Sequence, residues 1–211
     1  MPRDYTYSIR MDRAPPTPLV KGSAIRELAL WYEARHGRAY VDEVLLRLPP
    51  DLHEHVWRER QAFGLVANDW YPSPVVHALL DTVASGRSDA EMSALLREAT
   101  AFTVRRLSRG IYQFLFRMVA SPALYARHIQ KAWSMLHNTG RRSISLTTPG
   151  VADSTIEDWP GHHRWLCELS METMRAVFEA MGCSELELTR SECVSQGDPL
   201  CRAKLRYREP P

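Results

Sequence analysis

No run of apolar residues in this chain comes near eighteen, which excludes a membrane-spanning helix. Charge of one sign is also scarce: 27 Lys and Arg stand against 25 Asp and Glu, net +2, too little to argue for nucleic acid on electrostatic grounds. The clusters Arg105, Arg106, Arg109 and Arg141, Arg142 read as solvated faces. Residues 1–16 carry Arg3, Asp4, Arg10, Asp12 and Arg13 with no apolar centre, so no secretory leader is expected and the setting is read as cytoplasmic. Internal repeats and low-complexity tracts are missing. So are Walker-type and dinucleotide-type glycine loops and the Gly-x-Ser-x-Gly elbow, which leaves little footing for catalysis. Cysteine is sparse: Cys167, Cys183, Cys193 and Cys201 would be reduced in a cytoplasmic setting, which favours thiol or metal-ligand roles over disulfides.

What is present is 45% apolar and 25% charged residues over 211 positions, enough for a globular domain with a sizeable core. Residues 5–10 suit a short edge strand, and 14–18 an extended proline linker. Helical spacing then predicts one helix from Ser23 to Gly37, a second over 40–47 stopped by Pro49 and Pro50, and a short polar one over 51–59. Ser73 as N-cap and Pro74 open a further helix that Gly86 closes. Ser88 and Glu91 form a capping box before a long helix. Gly110 breaks the pattern, which resumes through Ile111, Phe114 and Met118, and then over 124–136. Residues 143–148 alternate as a strand, 151–160 read as loop, and 161–181 as an amphipathic helix.

The last twenty-odd residues are the most informative. Cys193 and Cys201, seven residues apart, bracket the turn Gln196-Gly197-Asp198-Pro199, with period-two alternation on both sides. A tip at Gly197 sets the two cysteines opposite each other on one face, and Cys167 sits in the helix before them. Helices segregated against a small antiparallel sheet make the class α+β.

The run from Glu192 to Arg202, preceded by a helix carrying Cys167, resembles the four-vinyl-reductase-type domain, whose fold is shared with haem-nitric-oxide-binding domains and small subunits of vesicle-tethering TRAPP complexes. Val20-Lys21-Gly22-Ser23, Leu48-Pro49-Pro50, Trp70-Tyr71-Pro72 and the region 106–112 are similar to an uncharacterised myxobacterial paralogous family. The resemblance spans about residues 20–208. It implies a 1–20 extension, one sensor-like domain over 21–208 and a 209–211 tail: a helical bundle packed on a small antiparallel sheet ending in the hairpin. In aromatic-sensing activators of this type a structural zinc is held by a helix cysteine, a glutamate three residues before the first hairpin cysteine, and two hairpin cysteines. Cys167, Cys193 and Cys201 match the three cysteines, whereas Arg190 stands at the glutamate position.

Zinc needs a fourth ligand. His163, four residues before Cys167, would share its helix face and complete the set, with Glu192 a weaker alternative. The competing readings are cysteines packed as small buried hydrophobes and a redox disulfide between Cys193 and Cys201. Haem is not expected, since no Tyr-x-Ser-x-Arg propionate clamp occurs and His128 and His137 read as packed or surface residues. His162 and His163 with Asp158 and Glu168 read as a polar helix start rather than an acid-base pair. The resemblance places Trp70, Tyr112, Phe116 and Trp133 in the wall of an apolar ligand cavity. The expected protein is thus a non-catalytic sensory or regulatory domain that binds a small hydrophobic or aromatic molecule and has a homodimeric or regulatory protein partner. The alternative is a homodimeric interaction module with a filled cavity.

Overall fold

Gly22 fixes the first corner of the structure: its N–H donates to the Asp69 carbonyl at 2.8 Å, and a Cβ there would collide with the Val66 carbonyl. In this computed structural model residues 16–107 and 121–210 are described; the predicted strand over 5–10 and the segment resuming at Ile111 lie outside them. Strand β1 (Leu19–Lys21) pairs antiparallel with β2 (Trp70–Pro72), and this ribbon leads into the helical half. That half contains α1 (Gly22–His36), α2 (Arg38–Arg47), α3 (Ser73–Ala84) and α4 (Asp89–Leu107). The predicted third helix is a 3-10 turn over Pro50–His55. Pro72 rather than Ser73 occupies the N-cap of α3, so Pro74 falls one place later than predicted. The Ser88–Glu91 capping box forms as expected, with Ser88 N–H donating to Glu91 Oε2 at 2.7 Å and Glu91 N–H to Ser88 Oγ at 3.3 Å.

The second half comprises α5 (Pro122–Leu136), β3 (Arg141–Thr148), β4 (Val151–Glu157), α6 (Arg164–Ala180), β5 (Ser184–Glu192) and β6 (Cys201–Arg208). The four strands lie in the order β3-β4-β6-β5, every pair antiparallel, which gives the α+β class. One expectation fails here: residues 151–157 are an inner strand, not loop. Their inward side chains are Ala152, Ser154 and Ile156, and two small residues in three hide the alternation that larger apolar groups would display. The same small residues, with Ala203 opposite Ser154, let α6 press closely on the sheet.

Helix α6 lies between α4 and the sheet and is buried along most of its length. Glu172 on it is 3% exposed and is compensated by Arg175 Nε at 2.6 Å and Arg97 Nε at 3.3 Å. Arg142 of β3, 5% exposed, donates to the Ser170 carbonyl of α6 at 3.0 Å and so locks strand to helix. The outer sheet face is polar, with Arg202–Glu192 and Arg208–Glu185 pairs at 2.8 Å each.

Candidate metal centre

Three thiols and one imidazole converge where the hairpin meets the start of α6. Cys167 lies in the first turns of that helix, its N–H bonded to the His163 carbonyl at 2.8 Å. Cys193 ends β5 and Cys201 opens β6, and all three are fully buried. A 3-10 turn over Val194–Gln196 and the left-handed Gly197 (φ 94°) return the chain so that the hairpin sulfurs meet. Asp198 pins the turn by accepting the Cys193 N–H at 2.7 Å. The Sγ atoms of Cys193 and Cys201 are 3.8 Å apart, and His162 Nε2 is 3.5 Å from Cys193 Sγ. All four ligand atoms, of His162, Cys167, Cys193 and Cys201, lie within 4.8 Å of one another. Zinc bond lengths of about 2.3 Å to sulfur and about 2.05 Å to nitrogen give tetrahedral edges of about 3.8 Å for S–S and about 3.5 Å for S–N. The Cys193–Cys201 and Cys193–His162 separations match these edges.

The three thiols and the imidazole shift one another's protonation. The Cys167 thiol, hydrogen-bonded to both hairpin sulfurs and buried, is pushed up. Cys193 and Cys201 are pulled down, first by that thiol, with burial opposing and Ser195 aiding Cys193 and His162 aiding Cys201. Burial pushes His162 down, but the adjoining Cys201 and Cys193 sulfurs outweigh it and the net shift is upward. Negative charge therefore concentrates on the two hairpin sulfurs.

The fourth position falls to His162, where sequence spacing pointed to His163. Helix α6 begins at Arg164, so His163 is its N-cap with extended backbone (φ −147°, ψ 142°), and the i,i+4 relation to Cys167 does not align the side chains. Side chains alternate in extended chain, so the neighbouring histidines point apart. His163 Nε2 donates to Asp81 Oδ1 of α3 at 3.0 Å and its ring stacks on His77 at 4.8 Å. Glu192 pairs with Arg202 on the outer face, and Arg190 is engaged by Glu168 at 3.6 Å. The available signal for His162 was the His-His pair itself, had the helix start been set at Arg164.

The apolar cavity lies in the helical half, lined by Ile25 and Tyr32 of α1, Val76 and Leu80 of α3, and Met92 and Leu96 of α4, among others. Trp70 and Trp133 are not part of its wall: Trp70 is 39% exposed on the surface, and Trp133 is buried against His137 at 4.0 Å and Trp159 at 4.8 Å. Tyr112 and Phe116 lie outside the described residues.

No family profile and no curated protein matches the chain. Its fold is that of haem-nitric-oxide-binding (H-NOX) proteins. The Fe(II) unliganded H-NOX protein from K. algicida superposes with a TM-score of 0.64 at 14% identity, over 90% of this chain and 97% of that one. An H-NOX protein from S. oneidensis in the Fe(II)NO state gives 0.66 at 12%, over 90% and 99%. A further structure, from a study of haem distortion in the H-NOX family, gives 0.60 at 11%, over 90% and 96%. The likeness supports the haem-NO-binding side of the resemblance; it carries neither the myxobacterial nor the cysteine-pattern part. It also corrects the cofactor expectation: haem is not expected from the sequence, yet the proteins that share this fold are Fe(II) and haem-bearing.

The described residues do not by themselves make a haem pocket. The helical cavity measures about 40 Å³, against about 300–1,000 Å³ for small-molecule sites, and no histidine lines it. Two histidines, His137 and His163, carry a buried Nδ1 without a partner among the described residues; His137 faces Trp133 and Trp159, and His163 stacks on His77, so neither faces the cavity.

Proposed function

We propose that the chain is a non-catalytic sensory or regulatory domain in which a zinc ion, bound by His162, Cys167, Cys193 and Cys201, clips the C-terminal hairpin to helix α6. The observation that carries this reading is the convergence of three buried thiols and one imidazole within 4.8 Å, two of whose separations equal zinc tetrahedral edges. Zinc at this place joins β5, β6, α6 and the loop before it, and its binding free energy adds to folding free energy. His162 would bind as neutral imidazole through Nε2, and Cys167, Cys193 and Cys201 as thiolates, so that binding would release the Cys167 proton. A small hydrophobic ligand would enter the apolar chamber between α1, α3 and α4 only by widening it, and that widening would shift a conformational equilibrium read by a protein partner or a second copy.

Two measurements test this. Metal analysis of protein purified without added metal is expected to give about one zinc per chain, falling to near zero in Cys193→Ser; a metal-free wild type as stable as the zinc-supplemented protein overturns the reading. Haem addition, followed by absorbance in the Soret region, is the first ligand test because of the fold's relatives. The small size of the chamber favours a second reading, a homodimeric interaction module with a filled cavity. Native mass spectrometry separates the two: a co-purifying small molecule supports the sensor, and a ligand-free dimer supports the module.

A further inference from the structure

Away from the cysteines, the surface carries a cleft of about 410 Å³ between the loop bearing Glu54, His55 and Trp57 and the loop bearing Asn68, Asp69 and Trp70. Its two indoles are unusual in being exposed, Trp57 by 44% and Trp70 by 39%. Neither sits on a slack loop. Trp57 N–H donates to the Phe63 carbonyl at 2.9 Å, and the loop between them closes through three successive left-handed residues, Ala62 (φ 54°), Phe63 (φ 57°) and Gly64 (φ 77°). Ala62 and Phe63 are strained there, and the strain is held by Glu33, whose carboxylate accepts the Ala62 N–H at 2.9 Å. A Cβ on Gly64 would lie 2.8 Å from Trp57 Cβ, so the turn packs directly under that indole. Trp70 is held by the β1–β2 ribbon opposite Lys21.

The chemistry of the cleft is that of a cation site. Lys21 Nζ already lies 4.8 Å from the Trp70 ring centroid while donating to the Asn68 carbonyl at 2.6 Å, so the rim holds an ammonium between an aromatic face and a carbonyl. Arg60 similarly covers Trp57 at 5.3 Å. Asp69 makes no ion pair among the described residues, and Glu54 meets only the His55 ring at 3.5 Å. We infer that this cleft binds a small organic cation, an alkylated ammonium of about the size of choline, against the Trp57 and Trp70 indoles in competition with the Lys21 and Arg60 side chains, with Asp69 and Glu54 supplying the countercharge. An aromatic wall with two carboxylates discriminates by charge, because a ring face attracts a cation and gives a neutral group of the same shape only contact area. The site needs neither zinc nor haem, so it stands or falls apart from the metal reading.

The test titrates the whole chain with choline and with its neutral isostere 3,3-dimethylbutan-1-ol at low salt, followed by calorimetry and tryptophan fluorescence. Saturable choline binding is expected, with the isostere at least tenfold weaker. Trp57→Leu and Trp70→Leu should each weaken choline by about three- to thirtyfold. Asp69→Asn should weaken it by about two- to fivefold. The leucines keep a Cβ on each loop and replace exposed groups, so thermal midpoints should stay within about 2 °C of wild type. No saturation by millimolar choline, equal binding of the isostere, or choline affinity unchanged in both tryptophan variants overturns the site.

Discussion

The helical half and the hairpin half of this protein bury their interiors by opposite means. Between α1, α3 and α4 the core is aliphatic and aromatic, with a residual void of about 40 Å³ and no titratable group beyond Tyr32 in its wall. Around α6 and the sheet the interior is crowded with groups that demand partners: three thiols and His162, Glu172 between two arginines, Arg142 on the Ser170 carbonyl, and His137 with an unmatched nitrogen. Close packing makes a core responsive to volume, whereas buried ionisable groups make it responsive to protons and metals. The first half is therefore sensitive to volume and the second to the charge state of its buried groups.

That contrast is broken most forcefully by cutting volume. Leu96→Ala, at a fully buried residue of the chamber wall, is expected to cost about 2–5 kcal/mol. The new space adjoins the existing void, so benzene should restore part of the lost thermal midpoint, as it does in dry engineered cavities. Leu205→Ala, equally buried but on the sheet, should cost a similar amount and show no rescue by benzene. Equal rescue in both variants, or none in either, would erase the distinction between the halves.

Acid should act on the hairpin half through His137. Burial, aided by the nearby Arg142 cation, holds its pKa down to about 3, so the folded protein keeps it neutral while the unfolded chain takes up a proton below about 6.5. Stability from this group is therefore complete above pH 6.5 and is lost as pH falls toward 3, at up to about 1.4 kcal/mol per pH unit. Denaturant midpoints of wild type and His137→Phe between pH 7 and 5 check this: the variant should show the shallower slope, and parallel slopes would contradict it.

Large periodic elements were legible in the sequence because their signals are repeated. The stripes of α1, α3 and α4, the Ser88–Glu91 cap and the hairpin with its cysteines each rest on several residues that agree. Strand β4 was lost because Ala152 and Ser154 put small groups at inward positions, where the sheet needs room for α6. His162 was lost to a three-residue error at a helix start, which leaves His162 and His163 in extended chain before the helix rather than on its first turn. The exposed indoles at Trp57 and Trp70 gave no pattern, since the loops that present them are shaped by left-handed residues and tertiary hydrogen bonds rather than by periodicity.

The gentlest probe addresses Arg190, three residues before Cys193 on β5. It is paired with Glu168 at 3.6 Å and partly exposed, so Arg190→Ala should cost only about 0.2–1 kcal/mol. With His162 as the proposed fourth ligand, zinc content in that variant should be unchanged, whereas His162→Ala should bind zinc more weakly through three thiolates. Adding Arg190→Glu to His162→Ala then asks whether the fourth corner can be filled from the strand, since a carboxylate there would be a competent oxygen ligand. Recovery of zinc affinity in the double variant would mean that position 190 lies within reach of the proposed metal, and failure to recover it would mean that the His162 loop is the sole route to a complete site.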